Sequence, residues 1–419
     1  MTSATSPLSD VRERALLWLL ALTQFTVIMD FMVMMPLGPQ IMQAFNIGPA
    51  GFATAVSAYS WCAGLSGLFA ATYIDRFDRK RLLLAVYALF ALSNLACGLA
   101  PNFHVLLLAR AFAGLTGGVL GAIVMAIIGD VIPEKRRGAA TGLVMTSFSM
   151  AAIAGVPLGV VLGAHFGWAT PFYLLVVLSL LIWATGARLV PNLRAHLAKT
   201  PAPLSQVLPD LFALIRKPAH LRAFALTGLV MSSAMLVIPF ISPVLVANHG
   251  IAPAQISWIY FAGGLATLVT ARAIGRLSDR YGKHRVFRGV ALFSILPILF
   301  ITHLPNLPLL ALIAFFPFFM VSMSGRSIPM QALMTTVPEP ARRGAFLSVN
   351  AAMQSLGTGL GAWVGGLMLS NGPGGQILGY GVIGWCATAL TVLSVIWIGY
   401  VTYSAPPIAK VAPANPLAP

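Results

Sequence analysis

The sequence predicts an all-α integral membrane protein of twelve transmembrane helices built as two six-helix pseudo-repeats. Composition, bilayer-length apolar runs and an internal repeat predict it. Of 419 residues, 58% are hydrophobic and 9% charged, against roughly 45–50% apolar and about 25% charged in a soluble globular domain. A hydrocarbon core of about 30 Å takes roughly 20 apolar residues of helix. Runs of that kind centre near residues 27, 62, 91, 117, 150, 179, 235, 263, 294, 320, 356 and 388.

The N-terminal "MTSATSPLSDVRER" is polar and runs into span 1 without a short apolar core and small-residue cleavage site, so span 1 is expected to stay uncleaved. Cys62, Cys97 and Cys386 fall inside spans and imply no disulfide framework. A net charge of +16 in a soluble chain would point to nucleic acid. Mapped onto the spans, the bases instead alternate by side. Arg12 and Arg14, Arg76 to Arg81, Lys135 to Arg137, Arg188 to Arg222, Arg272 to Arg288, Arg342, Arg343 and Lys410 share one side, while "GPQIMQAFNIGPAG" and "ANHGIAP" opposite carry none. The positive-inside rule makes the basic side cytoplasmic, with both termini on it. The expected partners are the lipid bilayer and a small-molecule substrate, with no nucleic acid and a monomeric carrier.

A shift of about 204 residues superposes the halves: Pro39 on Pro243, Pro49 on Pro253, Asp75 on Asp279. "PEKRRGA" then answers "PEPARRGA" at an offset of 206, and Gly155 and Gly159 fall on Gly361 and Gly365. The expected domains are an N-terminal six-helix bundle (1–190), a cytoplasmic linker (191–220), a C-terminal six-helix bundle (221–403) and a cytoplasmic tail (404–419). Two such parallel halves suit alternating access by rocking.

The loops after spans 2 and 8 carry a known pattern. "GRLSDRYGKHR" supplies Gly275, Asp279, Arg280, Gly282, Lys283 and Arg285 of G-x-x-x-D-R-x-G-R-K, and "ATYIDRFDRKR" keeps Asp75, Arg76, Arg79 and Lys80. The chain thereby resembles the major facilitator superfamily over nearly its whole length, in its twelve-span drug/sugar:proton antiporter branch. Ala71 and Asp78 stand where the family has glycine, which puts the usual tight turn at position 78 in question. The resemblance implies a cytoplasmic gate of Asp75, Arg76, Arg79, Asp279, Arg280, Gly282 and Lys283, with Asp130 joining the first cluster; the bland alternative is that these charges only enforce topology. "RAFAGLTGGVLG" resembles the R-x-x-x-G-x-x-x-G element through Arg110, Gly114 and Gly118, and "GVPLGVVLG" a degraded antiporter element through Gly155, Pro157, Gly159 and Gly163. Small residues at four-residue spacing also simply let helices pack closely.

Of ten acids, Asp30 alone lies within a span. An ionisable group in hydrocarbon costs about 2.5–3.5 kcal/mol on insertion scales and marks a substrate or ion pathway or a buried partner. Counted at about 1.5 Å per residue, Asp30 in span 1 and Arg110 in span 4 reach similar depths in the outer half of the membrane. An ion pair forms if the spans are neighbours, as the resemblance implies. No histidine falls within a span, which leaves Asp30 as the proton carrier, against a permanent Asp30–Arg110 strut. Arg326 in span 10 is expected near the cytoplasmic edge, either snorkelling or as a substrate or gate contact. Met29, Ser232, Ser233, Arg326, Asn350 and Gln354 are the candidates for a substrate cavity.

No phosphate-binding G-x-x-x-x-G-K-[ST] loop, metal-ligand spacing or G-x-S-x-G nucleophile is present, so no ATP-driven pump, cofactor or enzyme is expected. The first reading is a secondary active transporter in a bacterial cytoplasmic membrane, exporting a small organic compound by proton-coupled antiport. The alternative is a carrier of an anionic metabolite or siderophore through Arg110 and Arg326. A membrane enzyme or a transporter-like sensor is more remote.

Overall fold

The computed structural model describes residues 10–194, 209, 212–339 and 342–401. The tail 404–419 and most of the linker, with His196, Lys199, Asp210 and Lys410, lie outside the described residues. Twelve helical rods follow one another. Span 1 is Asp10–Val33 with Gly38–Phe45, span 2 Pro49–Tyr73, span 3 Arg79–Gly98 and span 4 Phe103–Val131. Span 5 joins Glu134–Met150 to Val156–Phe166 through a π-helical turn at Ala151–Gly155, and span 6 is Thr170–Leu189. Span 7 is Pro218–Val237 with Ile241–His249, span 8 Ile256–Tyr281, span 9 Lys283–Thr302, span 10 Leu309–Met334, span 11 Arg343–Met368 and span 12 Tyr380–Trp397. A hairpin, Ser370–Asn371 against Ile377–Leu378, adds the only strands among the described residues.

The sequence sets these boundaries locally. Pro36 and Pro239 sit where spans 1 and 7 break before their short second pieces, since proline cannot donate the next helical bond. Asn102 caps span 4, accepting from the Val105 N–H at 3.0 Å. The π turn in span 5 leads directly into a helix with proline in its first turn, Pro157.

Ten of the rods are long and apolar enough to cross a membrane. Spans 2 and 11 have the length, 25 and 26 residues, but carry many small and polar residues. They face each other, and small side chains let the backbones approach. A Cβ on Gly64 would lie 2.9 Å from the Ser355 side chain, and Gly366 presses on Ala53. Ser57 in span 2 donates to the Gly359 carbonyl in span 11 at 2.8 Å. Span 5 meets span 8 in the same way, Gly264 lying against the Ala152 carbonyl. Apart from these crossings and the contact between the short second pieces of spans 1 and 7, spans 1–6 pack mainly among themselves, as do spans 7–12.

The two ends of the molecule differ. At the end away from the basic loops, Met34, Met35, Leu37 and Ile41 pack with Phe240, Ile241, Val244 and Leu245 in one buried cluster spanning both halves. Asn248 at the end of span 7 ties in the hairpin, its amide donating to the Ile377 carbonyl and accepting from the Ile377 N–H, both at 2.8 Å. At the basic end, no ion pair between described residues joins spans 1–6 to spans 7–12. The molecule is closed at the end opposite its basic loops.

Candidate functional site

Span 1 delivers Asp30 and span 4 delivers Arg110 to one point. Arg110 Nη1 donates to Asp30 Oδ1 at 2.5 Å, and both side chains are 0% exposed. Among the described residues, Asp30 is the one acid so placed inside a span. Span 2 brings Tyr59, whose ring centre lies 4.4 Å from the Arg110 guanidinium carbon, and span 6 brings Phe172 at 6.0 Å. Ring faces attract a desolvated cation. Phe31 stacks on Tyr59 at 5.5 Å, and the Tyr59 hydroxyl donates to the Val27 carbonyl at 3.3 Å.

The pair is not saturated. Asp30 Oδ2 and Arg110 Nε and Nη2 are buried without a hydrogen-bond partner in the protein. Removing one member of such a pair costs about 3–5 kcal/mol, because it strands the other in low dielectric. The free carboxylate oxygen is also where a proton would bind while Arg110 keeps its hold on Oδ1. The arrangement thus serves either as a strut or as a titrating site.

The loop after span 2 forms the second cluster. Arg79 bridges Asp75 at 2.6 Å and Asp130, at the basic end of span 4, at 2.9 Å. Its Nη1 also donates to the Ile74 carbonyl at 2.8 Å. Asp78 takes no left-handed turn: at φ −58° it caps span 3, accepting from the Lys80 N–H at 2.9 Å, and pairs with Arg194 at 2.7 Å. Partial burial pushes the Asp78 carboxyl up. The Arg194 guanidinium and the Arg81 and Lys80 N–H groups outweigh that and hold it below the usual carboxylate range.

The second copy of the loop is arranged otherwise. Gly282 takes φ +90°, Lys283 Nζ donates to the Ala332 carbonyl at 3.0 Å and Arg280 lies over the Tyr281 ring at 5.3 Å. Asp279 is exposed and, among the described residues, has no ion pair. Arg76 is exposed, and among the described residues no ion pair joins Asp75 or Arg79 to Asp279 or Arg280. The structure brings Asp75, Arg79 and Asp130 of the first copy into one cluster but does not join the two copies.

Arg326 corrects an expectation. It does not snorkel to the basic edge: its side chain is 0% exposed, and Nη1 donates to Thr391 at 3.1 Å and Ser233 at 3.3 Å, with Nη2 3.4 Å from the Val230 carbonyl. A helical Cα–Cβ bond tilts toward the helix N-terminus, which in span 10 points away from the basic end. The other cavity candidates are dispersed. Ser232 donates to the Gly357 carbonyl at 3.0 Å and Asn350 accepts from Thr227 at 2.7 Å, while Met29 packs on Ala151 and Leu175. Gln354 is half-buried.

A family model described as Major Facilitator Superfamily matches residues 20–240 and again 223–418. The chain belongs to the major facilitator superfamily. It is therefore an integral membrane protein and a secondary transporter of a small molecule, from a family of transporters rather than enzymes. Among its relatives, a probable sugar efflux transporter of Helicobacter pylori (strain ATCC 700392 / 26695) is 26% identical over 366 residues, 86% of this chain and 88% of the relative. One of Mannheimia succiniciproducens is 25% identical, covering 85% and 86%. In fold, the chain is similar to a mutant of the nucleoside transporter NupG, with TM-score 0.75, 12% identity and 93% and 100% of the two chains covered. The xylose transporter XylE from E. coli, in an inward open conformation, gives 0.69 at 14% identity, covering 92% and 96%.

The superfamily's glycine elements lie at helix crossings. Gly114 and Gly118 in span 4 abut the backbone carbonyls of Tyr59 and Ala63 in span 2. In span 5, Gly155 faces Met29, Gly159 faces Val33 and Gly163 faces Leu37, all of span 1 or its end. Gly361 and Gly365 in span 11 meet Ser232 and Leu236 in span 7. Sequence reasoning missed Tyr59 and Phe172, which belong to no motif, and Gln24, whose buried Oε1 has no partner in span 1. Gln24 alone gave a signal, as a polar residue in the same apolar run as Asp30.

Proposed function

We propose that this major facilitator exports a small organic compound in exchange for protons, with Asp30 as the titrating group and Arg110 as its fixed counter-charge. The carrying observation is the buried 2.5 Å pair whose second carboxylate oxygen is free. Proton binding weakens the pair and substrate export restores it, each in the form of the carrier where the site is wet. The loop charges support a cytoplasmic basic side and cytoplasmic termini in a bacterial inner membrane. On that orientation the described form is inward-facing, and halves 1–190 and 221–403 are the rocking bodies. The relatives' names make a sugar-like, uncharged compound the first to test.

A second reading is favoured by one feature. Arg326 is buried among hydroxyls and a carbonyl, so the second half holds an uncompensated cation suited to an anionic substrate. Proteoliposomes with an imposed pH gradient and a panel of sugars, amphiphiles and carboxylates separate the readings. In the first, Asp30→Asn abolishes gradient-driven accumulation while leaving substrate exchange without a gradient. Accumulation that survives Asp30→Asn makes the pair a strut. Transport limited to anions and lost in Arg326→Ala selects the second reading.

A further inference from the structure

Span 8 presents an unbroken outward stripe. Trp258, Phe261, Leu265 and Val269 are exposed on it, at 62%, 40%, 47% and 68%. These apolar residues flank the sealed end of the molecule, so the face they expose is the lipid face. Three and seven residues beyond Val269 the same stripe continues as Arg272 and Arg276, both exposed, and then Arg280. The opposite side of the helix is fixed by packing, with Gly263 against Phe316 and Met320 and Ile274 against Gly325.

Arg272 is too deep for a topology signal. It precedes the helix end at Tyr281 by nine residues, or roughly 13 Å at 1.5 Å per residue. With Trp258 as the aromatic anchor of the far interface, a core of about 30 Å, or roughly 20 residues, ends near Leu277. Arg272 therefore lies within it. Span 8 runs toward the basic end, so the backward tilt of its Cβ bonds carries Arg272 and Arg276 deeper instead of letting them snorkel out. No described residue forms an ion pair with either. Asp279, the one acid on the neighbouring positions, is itself unpaired. In the first half, by contrast, Arg79 and Arg136 are paired to carboxylates.

We propose that Arg272 and Arg276, continued by Arg280, form a binding site for the phosphate of an anionic phospholipid on the lipid face of span 8. The arginines draw the headgroup below the ordinary interface, and its acyl chains run along Val269, Leu268 and Leu265. Guanidinium pairs with phosphate oxygens in bidentate fashion, and a lipid is the one phosphate source that reaches a bilayer-facing stripe at this depth.

The full-length protein, purified in detergent and titrated with dioleoylphosphatidylglycerol or dioleoylphosphatidylcholine, tests this by native mass spectrometry of bound lipid. Wild type is expected to favour the anionic lipid. Arg272→Gln/Arg276→Gln should lower that preference by about fivefold per arginine removed. Arg342→Gln/Arg343→Gln, the same charge change elsewhere at the basic end, should leave it unaltered, and Arg272→Lys/Arg276→Lys should keep most of it. Equal loss in the Arg342/Arg343 variant overturns the site in favour of diffuse attraction. Should the glutamine pair fail to assemble, wild type still decides, since equal binding of the two lipids also overturns it.

Discussion

Asp78 and Gly282 stand at one position of the repeat, 204 residues apart, and turn the chain between spans by different means. Gly282 does so with φ +90°, whereas Asp78 stays at φ −58° and uses its carboxylate as a helix cap and as the partner of Arg194. The same divergence recurs at mid-membrane. The first half neutralises Arg110 with Asp30; the second surrounds Arg326 with Ser233, Thr391 and a carbonyl, and the counterpart of Asp30 there is Ala234. Duplication preserved the helix frame and its glycine crossings, while the charges were redistributed. Seven of the ten acids lie in residues 1–190 and two in residues 221–403.

The largest expected effect tests the mid-membrane contrast. Arg110→Met leaves a buried carboxylate unpaired and should cost about 3–5 kcal/mol, read by unfolding of the purified protein. Arg326→Met strands no carboxylate and leaves Ser233 and Thr391 bonded to each other at 2.8 Å, so it should cost less than half as much. Equal losses would erase the contrast. The glycine crossings should behave alike in both halves: Gly114→Ala and Gly361→Ala each push a methyl into a facing carbonyl. A loss of about 1–3 kcal/mol is expected for each, measured as a fall in thermal midpoint. A difference of several-fold would mean that the frames are less equivalent than their backbones.

The smallest effect, and the sharpest, concerns the loop pair. Asp78→Ala removes a cap worth about 1 kcal/mol, and Gly282→Ala forces a side chain into a left-handed conformation at about 1–2 kcal/mol. Only the first should depend on pH. Because the folded Asp78 carboxyl is held down, its contribution is present above the unfolded value of about 3.9 and is lost as pH falls through the lower folded value. Stability compared at neutral pH and at a pH well below the unfolded value of about 3.9 should therefore show the Asp78→Ala penalty shrinking in acid and the Gly282→Ala penalty persisting.

Much of this was legible in sequence because helices have a fixed rise. Depth counting alone brought Asp30 and Arg110 to one level; the repeated loop marked Asp75 and Arg79, and position at the cytoplasmic end of span 4 marked Asp130. The same counting failed for Arg326, since it locates a Cα and not a guanidinium at the end of a long side chain tilted toward the helix N-terminus. Tyr59 over Arg110 was hidden for another reason. Its placement depends on how span 2 is rotated about its axis, and a helix whose small, polar and apolar residues are spread over all its faces carries no period to fix that angle. The π turn at Ala151–Gly155 lies directly ahead of Pro157, a local signal for an irregularity that did not specify its form.

Asn248 joins span 7 to the hairpin through its side chain alone. A side-chain carboxamide has the donor and acceptor of a peptide unit, so its two bonds to Ile377 make span 7 supply, through one residue, a third rung to the two-stranded ribbon. The stitch addresses only main-chain atoms of that ribbon. Exposed side chains of "SNGPGGQIL" can accordingly vary without loosening the seam, whereas Ile377 is held by its buried side chain and position 248 tolerates little besides an amide.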